Sequence, residues 1–316
     1  MFCTLNAAMN KALSRGAILV TFAVWAVSTL SAINLAELWV MPEDITARDL
    51  FYGVGGPDLA PKADVPYTWV ATDNEGYSPG FDVRDSEGRR WSVKLGREAQ
   101  PEVVASRVLW AIGYHQPPIY FVSSWQLSGG PGGRQPAARF RTNFEGWKVH
   151  GHWSWVDNPF KDTQPFRGLI VANVLLNNWD WKASNNRIYR DASGARRHVV
   201  RDLGASFGKT SPSKLLALFP MRGFGQGSRN NIDDFESQGF IRRVEENDVD
   251  FDFHTIHGPV VDLVRPSDVR WTADLLNRLT DAQWDAAFRA ADYSPDVRAR
   301  YIRKIKAKIA EGLAVS

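Results

Sequence analysis

Cysteine is almost missing from this chain. Cys3 is the only one in 316 residues, so the part beyond the N-terminus has no disulfide to rely on and is compatible with either redox compartment. Six histidines show no zinc-type pairing with cysteine and read as structural or surface residues. Charge of one sign is lacking as well: 38 Lys and Arg face 35 Asp and Glu, a net +3 spread widely, which gives no case for a nucleic-acid partner. No internal repeat is visible. Two cofactor motifs are present only in part. Gly204-Ala-Ser-Phe-Gly208-Lys-Thr210 has three residues between its glycines where a phosphate loop needs four. Asp248-x-Asp250-x-Asp252 begins like a calcium loop, but Phe253 and Pro259 stand where Gly and Glu are required. An amphipathic strand with Val249, Phe251 and Phe253 inward explains that run better.

What is present is enough for a substantial core: 44% of residues are hydrophobic and 12% aromatic. Lys11 and Arg15 precede an uncharged run from Gly16 to Ala36, and Glu37, Glu43 and Asp44 follow it. At 21 residues the run is long enough to span a hydrocarbon core, and its charge asymmetry leaves the N-terminus in the cytoplasm and the remainder outside. The small residues of Ser28-Thr-Leu-Ser-Ala32 allow a cleaved signal instead. Residues 1–40 are therefore assigned to a signal peptide or membrane anchor, and the protein is expected to be membrane-attached or exported. Residues 41–66, with Gly53-Val-Gly55-Gly56-Pro57, Pro61 and Pro66, read as a linker or irregular packing segment.

Strand patterns dominate from Tyr67. Phe81-Asp-Val-Arg-Asp alternates apolar and polar residues, Asp85-Ser-Glu-Gly88 is turn chemistry, and Arg90-Trp-Ser-Val-Lys94 resumes the alternation, so a hairpin ends at Lys94. A helix follows: Pro101 suits a first helical position, Glu102 sits in the first turn, and Val103, Val104, Val108, Leu109 and Ile112 recur at helical spacing up to Gly113. Ile119–Ser123 and Ala138–Thr142 read as later strands. The aromatic stretch Trp147–Trp155 is a candidate wall for a cleft, although tryptophans more often fill cores. Phe166–Asn177 reads as a buried helix. Helices then take over: Thr280-Asp-Ala-Gln283 has capping-box form, Ser294-Pro295 starts another helix, and the basic run Arg298–Lys308 carries Ile302, Ile305 and Ile309 on one face with its charges solvated.

The chemistry concentrates between Asn177 and Gly208. Asp180-Trp-Lys182-Ala-Ser-Asn185 has the pattern D-x-K-x-x-N, and the predicted strand His198–Asp202 ends in Asp202-Leu-Gly204. Together with a strand lysine and a helix glutamate upstream, this order resembles the protein-kinase superfamily. The resemblance implies an α+β bilobal fold, with a strand-rich N-lobe over 67–145 and a helical C-lobe over 146–316, preceded by the N-terminal hydrophobic helix. It implies ATP and magnesium as cofactors, since a phosphoryl group travels with hard metal ions that require oxygen ligands. Asp202 would hold the metal bridging the β- and γ-phosphates and Asn185 a second one. Asp180 would orient the attacking hydroxyl and accept its proton, and Lys182 would neutralise charge on the γ-phosphate. Lys94 would clamp the α- and β-phosphates and pair with Glu102, Glu98 being the second choice. Gly76 and Gly80 would cover the phosphates.

Three departures point to an atypical branch, similar to HipA-like, phosphatidylinositol and secretory-pathway kinases. Asn178-Trp179 replaces His-Arg, no G-x-G-x-x-G precedes Lys94, and no A-P-E follows Asp202. The expected function is an ATP- and Mg-dependent phosphotransferase acting on a hydroxyl acceptor, a protein ahead of a lipid or sugar. The alternative is an inactive pseudokinase that senses nucleotide or scaffolds at the cell envelope. Its expected partners are a nucleotide, that acceptor, and a membrane through the N-terminal helix. An exported kinase also needs a donor or a nucleotide supply outside the cytosol.

Overall fold

Alternating side chains after Pro66 build a seven-stranded sheet in the computed structural model, which describes residues 33–73, 78–210 and 227–315. Its strands are β1 (Pro66–Asp73), β2 (Gly80–Arg84), β3 (Arg90–Leu95) and, after helix α1 (Ala99–Ala111), β4 (Ile119–Val122), β5 (Trp125–Ser128), β6 (Gly133–Gln135) and β7 (Ala138–Arg141). They lie in the order β4-β7-β3-β2-β1-β5-β6, antiparallel except for the β1–β5 pair. The hairpin turn is tied by Asp85, whose Oδ1 accepts from the Glu87 and Arg89 amides at 3.0 and 2.8 Å while Oδ2 accepts from Trp91 Nε1 at 2.9 Å. That register sets Gly80 opposite Lys94. One face of the sheet closes over Trp91, Trp125 and Phe140, all at most 1% exposed.

The chain then forms a smaller sheet, β8 (Lys148–Gly151), β9 (Asn186–Arg190) and β10 (Arg196–Val200) in the order β10-β9-β8, with helix α2 (Gln164–Leu175) inserted before β9. Helix α3 (Ile232–Ser237), the hairpin of β11 (Ile241–Glu245) and β12 (Asp248–Phe251), and helices α4 (Gly258–Val261), α5 (Pro266–Asn277), α6 (Asp281–Arg289) and α7 (Pro295–Leu313) complete it. The result is a mixed α+β fold. A second, larger core joins α1 and α2 to α5, α6 and α7. Because α1 packs there while its N-terminus borders β3, it connects the large sheet to the helical part.

Helix α1 starts at Ala99, two residues before Pro101, and is buried on nearly every side. A helix without a polar face is a core helix, so the polar groups it carries must find partners inside. Glu102, Ser106 and Arg107 are all at most 2% exposed. The capping box at α6 is present: Thr280 Oγ1 accepts from the Gln283 amide at 3.2 Å, and Gln283 Oε1 accepts from the Thr280 amide at 3.0 Å. β12 turns Val249 and Phe251 inward, and Phe253 beyond its end is buried too.

Several expectations resolve here. Residues 41–66, read as a linker or irregular packing segment, form a packed irregular segment. Ile45 and Leu50 are buried, and Gln283 Nε2 donates to the Ile45 and Arg48 carbonyls at 2.8 and 2.9 Å. Trp153 and Trp155 fill the core and line no cleft. Trp155 stacks on Trp181 with centroids 4.6 Å apart, beneath the loop that carries Asp180. Trp153 Nε1 donates to Val199 O at 3.1 Å, whereas Trp155 Nε1 is buried without a partner among the described residues, so Trp155 is held by ring packing alone. The apolar run of 16–36, expected to form a hydrophobic helix, lies outside the described residues up to position 32. Its described end forms only a 3₁₀ turn, Leu35–Glu37. Among the described residues no helix is long and apolar enough to cross a membrane.

Candidate functional site

Lys94 sits at the end of β3 with its side chain 15% exposed, and three carboxylates surround its ammonium. Glu102 Oε2 stands at 3.1 Å, Glu98 Oε2 at 3.5 Å, and Asp202 Oδ1 is in direct hydrogen-bonded contact. Burial alone would push this lysine's pKa down. Glu102, Asp202 and Glu98 outweigh it and hold the group above the ordinary lysine value, so it stays charged. Both helix glutamates therefore touch Lys94, where the sequence offers Glu102 first and Glu98 second. Glu98 accepts in addition from Ser78 Oγ at 2.8 Å and pairs with Arg229.

Asp202 follows β10 in the left-handed region, φ 55° and ψ 46°. Aspartate is among the few non-glycine residues that tolerate it, and such strain persists only where the surroundings fix it. Lys94 and the paired backbone of Arg201 N and Asn185 O, 3.1 Å apart, supply that fixing. Gly204 explains the end of the D-L-G triplet: a Cβ there would lie 2.5 Å from Glu98 Cβ, so only glycine lets this turn approach α1. Burial raises the Asp202 carboxyl, but Lys94, Arg141 and Arg139 hold it well below the usual carboxylate range.

The loop before Asn185 is braced from below. Asn178 Nδ2 donates to Asn173 Oδ1 at 2.7 Å, Trp181 Nε1 to Asn178 O at 2.7 Å, and Trp179 Nε1 to Ser228 O at 3.0 Å. Asp180 faces Lys182 Nζ at 3.0 Å. Asn185 Nδ2 donates to Asp180 O at 2.8 Å, which leaves Oδ1 without a donor among the described residues. Lys94, Asp180, Lys182, Asn185, Asp202 and Gly80 all line a single cavity of about 350 Å³, and Glu102 lies directly behind it. Gly80 is dictated by pairing, since a Cβ there would meet Val93 O at 2.3 Å. Gly76 lies outside the described residues.

Four arginines of this site are missed by the sequence reasoning. Arg139 and Arg141 stand two apart on β7 and share a face, and both reach Glu102 Oε1, at 3.2 and 2.8 Å. Their period-two spacing in Ala138-Arg-Phe-Arg141 is the signal that a strand face here is cationic. Arg187 and Arg201 line the same cavity, next to Asn185 and Asp202.

One buried lysine supports the loop from the far side. Lys308 of α7, 1% exposed, donates to Leu175 O at 3.1 Å and Asn177 Oδ1 at 2.8 Å, and lies 4.5 Å from the Phe235 ring centroid. It satisfies an orphan carbonyl at the end of α2. Burial first, then Lys304, lowers its pKa to about 7. An unfolded lysine titrates near 10.4, so between about pH 7 and 10 the unfolded chain binds the extra proton and stability rises with pH. The penalty of the buried charge is fully present below pH 7. Relative to Lys308→Met, which has no such group, the wild type should therefore gain on the order of 1–3 kcal/mol between pH 7 and 9.5, read from urea midpoints. A constant difference would show that Lys308 titrates normally.

A fit for magnesium rests on donor chemistry. Among the described residues no three His, Cys, Asp or Glu side chains cluster as a metal cage. Asp202 and the free amide oxygen of Asn185 are instead the sparse, hard oxygen set that magnesium uses when phosphates and water complete its shell.

No family model and no curated protein matches the chain. Among solved structures it is similar to the Helicobacter pylori proinflammatory kinase CtkA, at 9% identity and a TM-score of 0.42, covering 79% of this chain and 94% of that one.

Proposed function

We propose that the chain is a phosphotransferase with a kinase-like active site in the cavity below β3, using ATP and magnesium and a hydroxyl acceptor. The observation that carries this reading is the Lys94 ammonium, fixed at once by Glu102 of α1 and by Asp202, with Asp180 and Asn185 on the same cavity. Lys94 is charged and preorganised to hold phosphate oxygens. Asp202 and Asn185 would hold magnesium, which would supply charge screening for the phosphates. Asp180 orients the acceptor hydroxyl and takes its proton while the oxygen attacks the terminal phosphorus and the bond to the leaving diphosphate oxygen breaks. Lys182, about half exposed and paired with Asp180 at 3.0 Å, would neutralise charge on the moving phosphoryl group. A protein hydroxyl is the preferred acceptor because D-x-K-x-x-N is closest to the protein-kinase loop.

The test is phosphoryl transfer or Mg-ATP turnover by the purified full chain. Asp180→Ala should lower turnover by about 10²–10⁴-fold while the thermal stabilisation by Mg-ATP is kept. Stabilisation of the wild type without any turnover would select the pseudokinase alternative. Equal turnover in both proteins would remove Asp180 from the mechanism.

A further inference from the structure

Two arginines in the cavity have no carboxylate partner among the described residues. Arg187 of β9 spends its guanidinium on the Ser184 and Asn186 carbonyls and on His152 Nδ1 at 2.8 Å. Arg201 donates to Tyr189 Oη at 3.1 Å, and its Nε is buried with no hydrogen-bond partner. Among the described residues neither lies within ion-pairing distance of an acid, unlike Arg139 and Arg141, which share Glu102. Burial lowers the pKa of both, joined by repulsion from Arg201 and then Arg141 at Arg187, and from Arg141 at Arg201. A like-charged group of this kind is costly until an anion enters it.

The rest of the lining has the same character. Lys94, Arg139, Arg141, Lys182, Arg187 and Arg201 face the cavity against the carboxylates of Asp73, Glu98, Asp180 and Asp202, and two of those four are the groups assigned above to magnesium and the acceptor proton. Val93 is the only apolar side chain larger than glycine among the described lining residues. A purine is held by flat apolar or aromatic faces, with a few polar groups at its edge. Phosphate oxygens are held by guanidinium forks. Among its described lining residues the cavity offers the second set and not the first.

Resting on the phosphotransferase reading, we infer that this site recognises the polyphosphate chain of its donor and not a base. Its ligand class is the magnesium complex of a linear triphosphate, inorganic tripolyphosphate included, with Arg187 and Arg201 as specificity-determining residues for its phosphate oxygens. Nucleoside triphosphates enter through the same contacts, whatever base they carry.

Calorimetric titration of the full chain, with magnesium, against tripolyphosphate, ATP, GTP and adenosine tests this. The three triphosphates should bind within about threefold of one another, and adenosine should neither bind nor displace ATP. Arg187→Gln should weaken all three by the same factor, about tenfold, a charge-assisted contact being lost. Arg201→Lys, which keeps the charge and loses the fork, should weaken them in parallel and guards against a folding effect at Arg187. A preference of tenfold or more for one base, or competition by adenosine, overturns the inference and leaves the phosphotransferase reading standing. Equal binding of the triphosphates that Asp202→Asn leaves unchanged, with no transfer to any hydroxyl, keeps the inference and sinks that reading. Absence of binding by all four overturns the inference.

Discussion

Glu102→Gln should cost the fold about 3–5 kcal/mol, the penalty for breaking a buried ion cluster by removing one partner. Glu102 is 1% exposed and is the common counter-charge of Lys94, Arg139 and Arg141, at 3.1, 3.2 and 2.8 Å. Burial raises its carboxyl, but Arg139, Lys94 and Arg141 hold it below the ordinary value, so it is ionised in the native state. The amide keeps the shape and loses the charge, leaving three buried cations to face Asp202 and Glu98 alone. Chemical denaturation measures the loss. A double-mutant cycle with Arg141→Met checks its origin: taking away a cation together with the acid should restore part of the stability, a coupling of about 1–3 kcal/mol. A drop below 1 kcal/mol in the single variant would mean that the cluster is solvated and not the dry ion network described here. The same carboxylate is legible as a candidate from a helix that follows a strand lysine. Its role as the anchor of two arginines is not.

That contrast marks how far the residues speak for themselves. Local grammar is readable wherever one element holds the whole signal. The hairpin ending at Lys94, the capping box at Thr280 and the strand Val249–Phe251 depend on periodicity and turn chemistry within a few residues. The order of strand lysine, helix glutamate, D-x-K-x-x-N and D-L-G is readable too, and the fold gathers all of these around one cavity. What stays hidden is set by distant pairing. Nothing in the sequence beside Arg187 or Arg201 reveals that neither meets an acid, because β9 and β10 join β8 into a sheet only after α2 has been inserted. Lys308 falls among basic neighbours that imply solvent. The turn of α7 that buries it is fixed by Tyr301, Ile305 and Ile309 packing into the core. Residues 41–66 carry glycines and prolines that imply a loop, and their packing follows from Gln283, more than two hundred residues away.

Asp202→Asn carries the second large effect, in function and not in folding. On the proposed reading it removes the one carboxylate that would hold magnesium at the phosphates, so transfer should fall by about 10²–10³-fold or more, the range for losing one preorganised electrostatic group. Magnesium-dependent stabilisation by ATP should be lost with it, since an amide oxygen is a poorer ligand for a hard cation. The accompanying change in stability is small, because Lys94 keeps Glu102 and Glu98 and the Asp202 side chain is 35% exposed. The pH dependence separates this group from Lys308. The native Asp202 carboxyl is depressed, so its contribution is complete above the unfolded value near 3.9 and is lost only as pH falls through the lower native value. Between pH 5 and 8 the difference in stability between wild type and Asp202→Asn should therefore stay flat. A slope between pH 7 and 9.5 that is present in wild type and absent from Lys308→Met then belongs to the buried lysine of α7. A difference that grows or shrinks through neutral pH would mean that Asp202 titrates there, and the tight contact with Lys94 on which the proposed chemistry depends would not exist in solution.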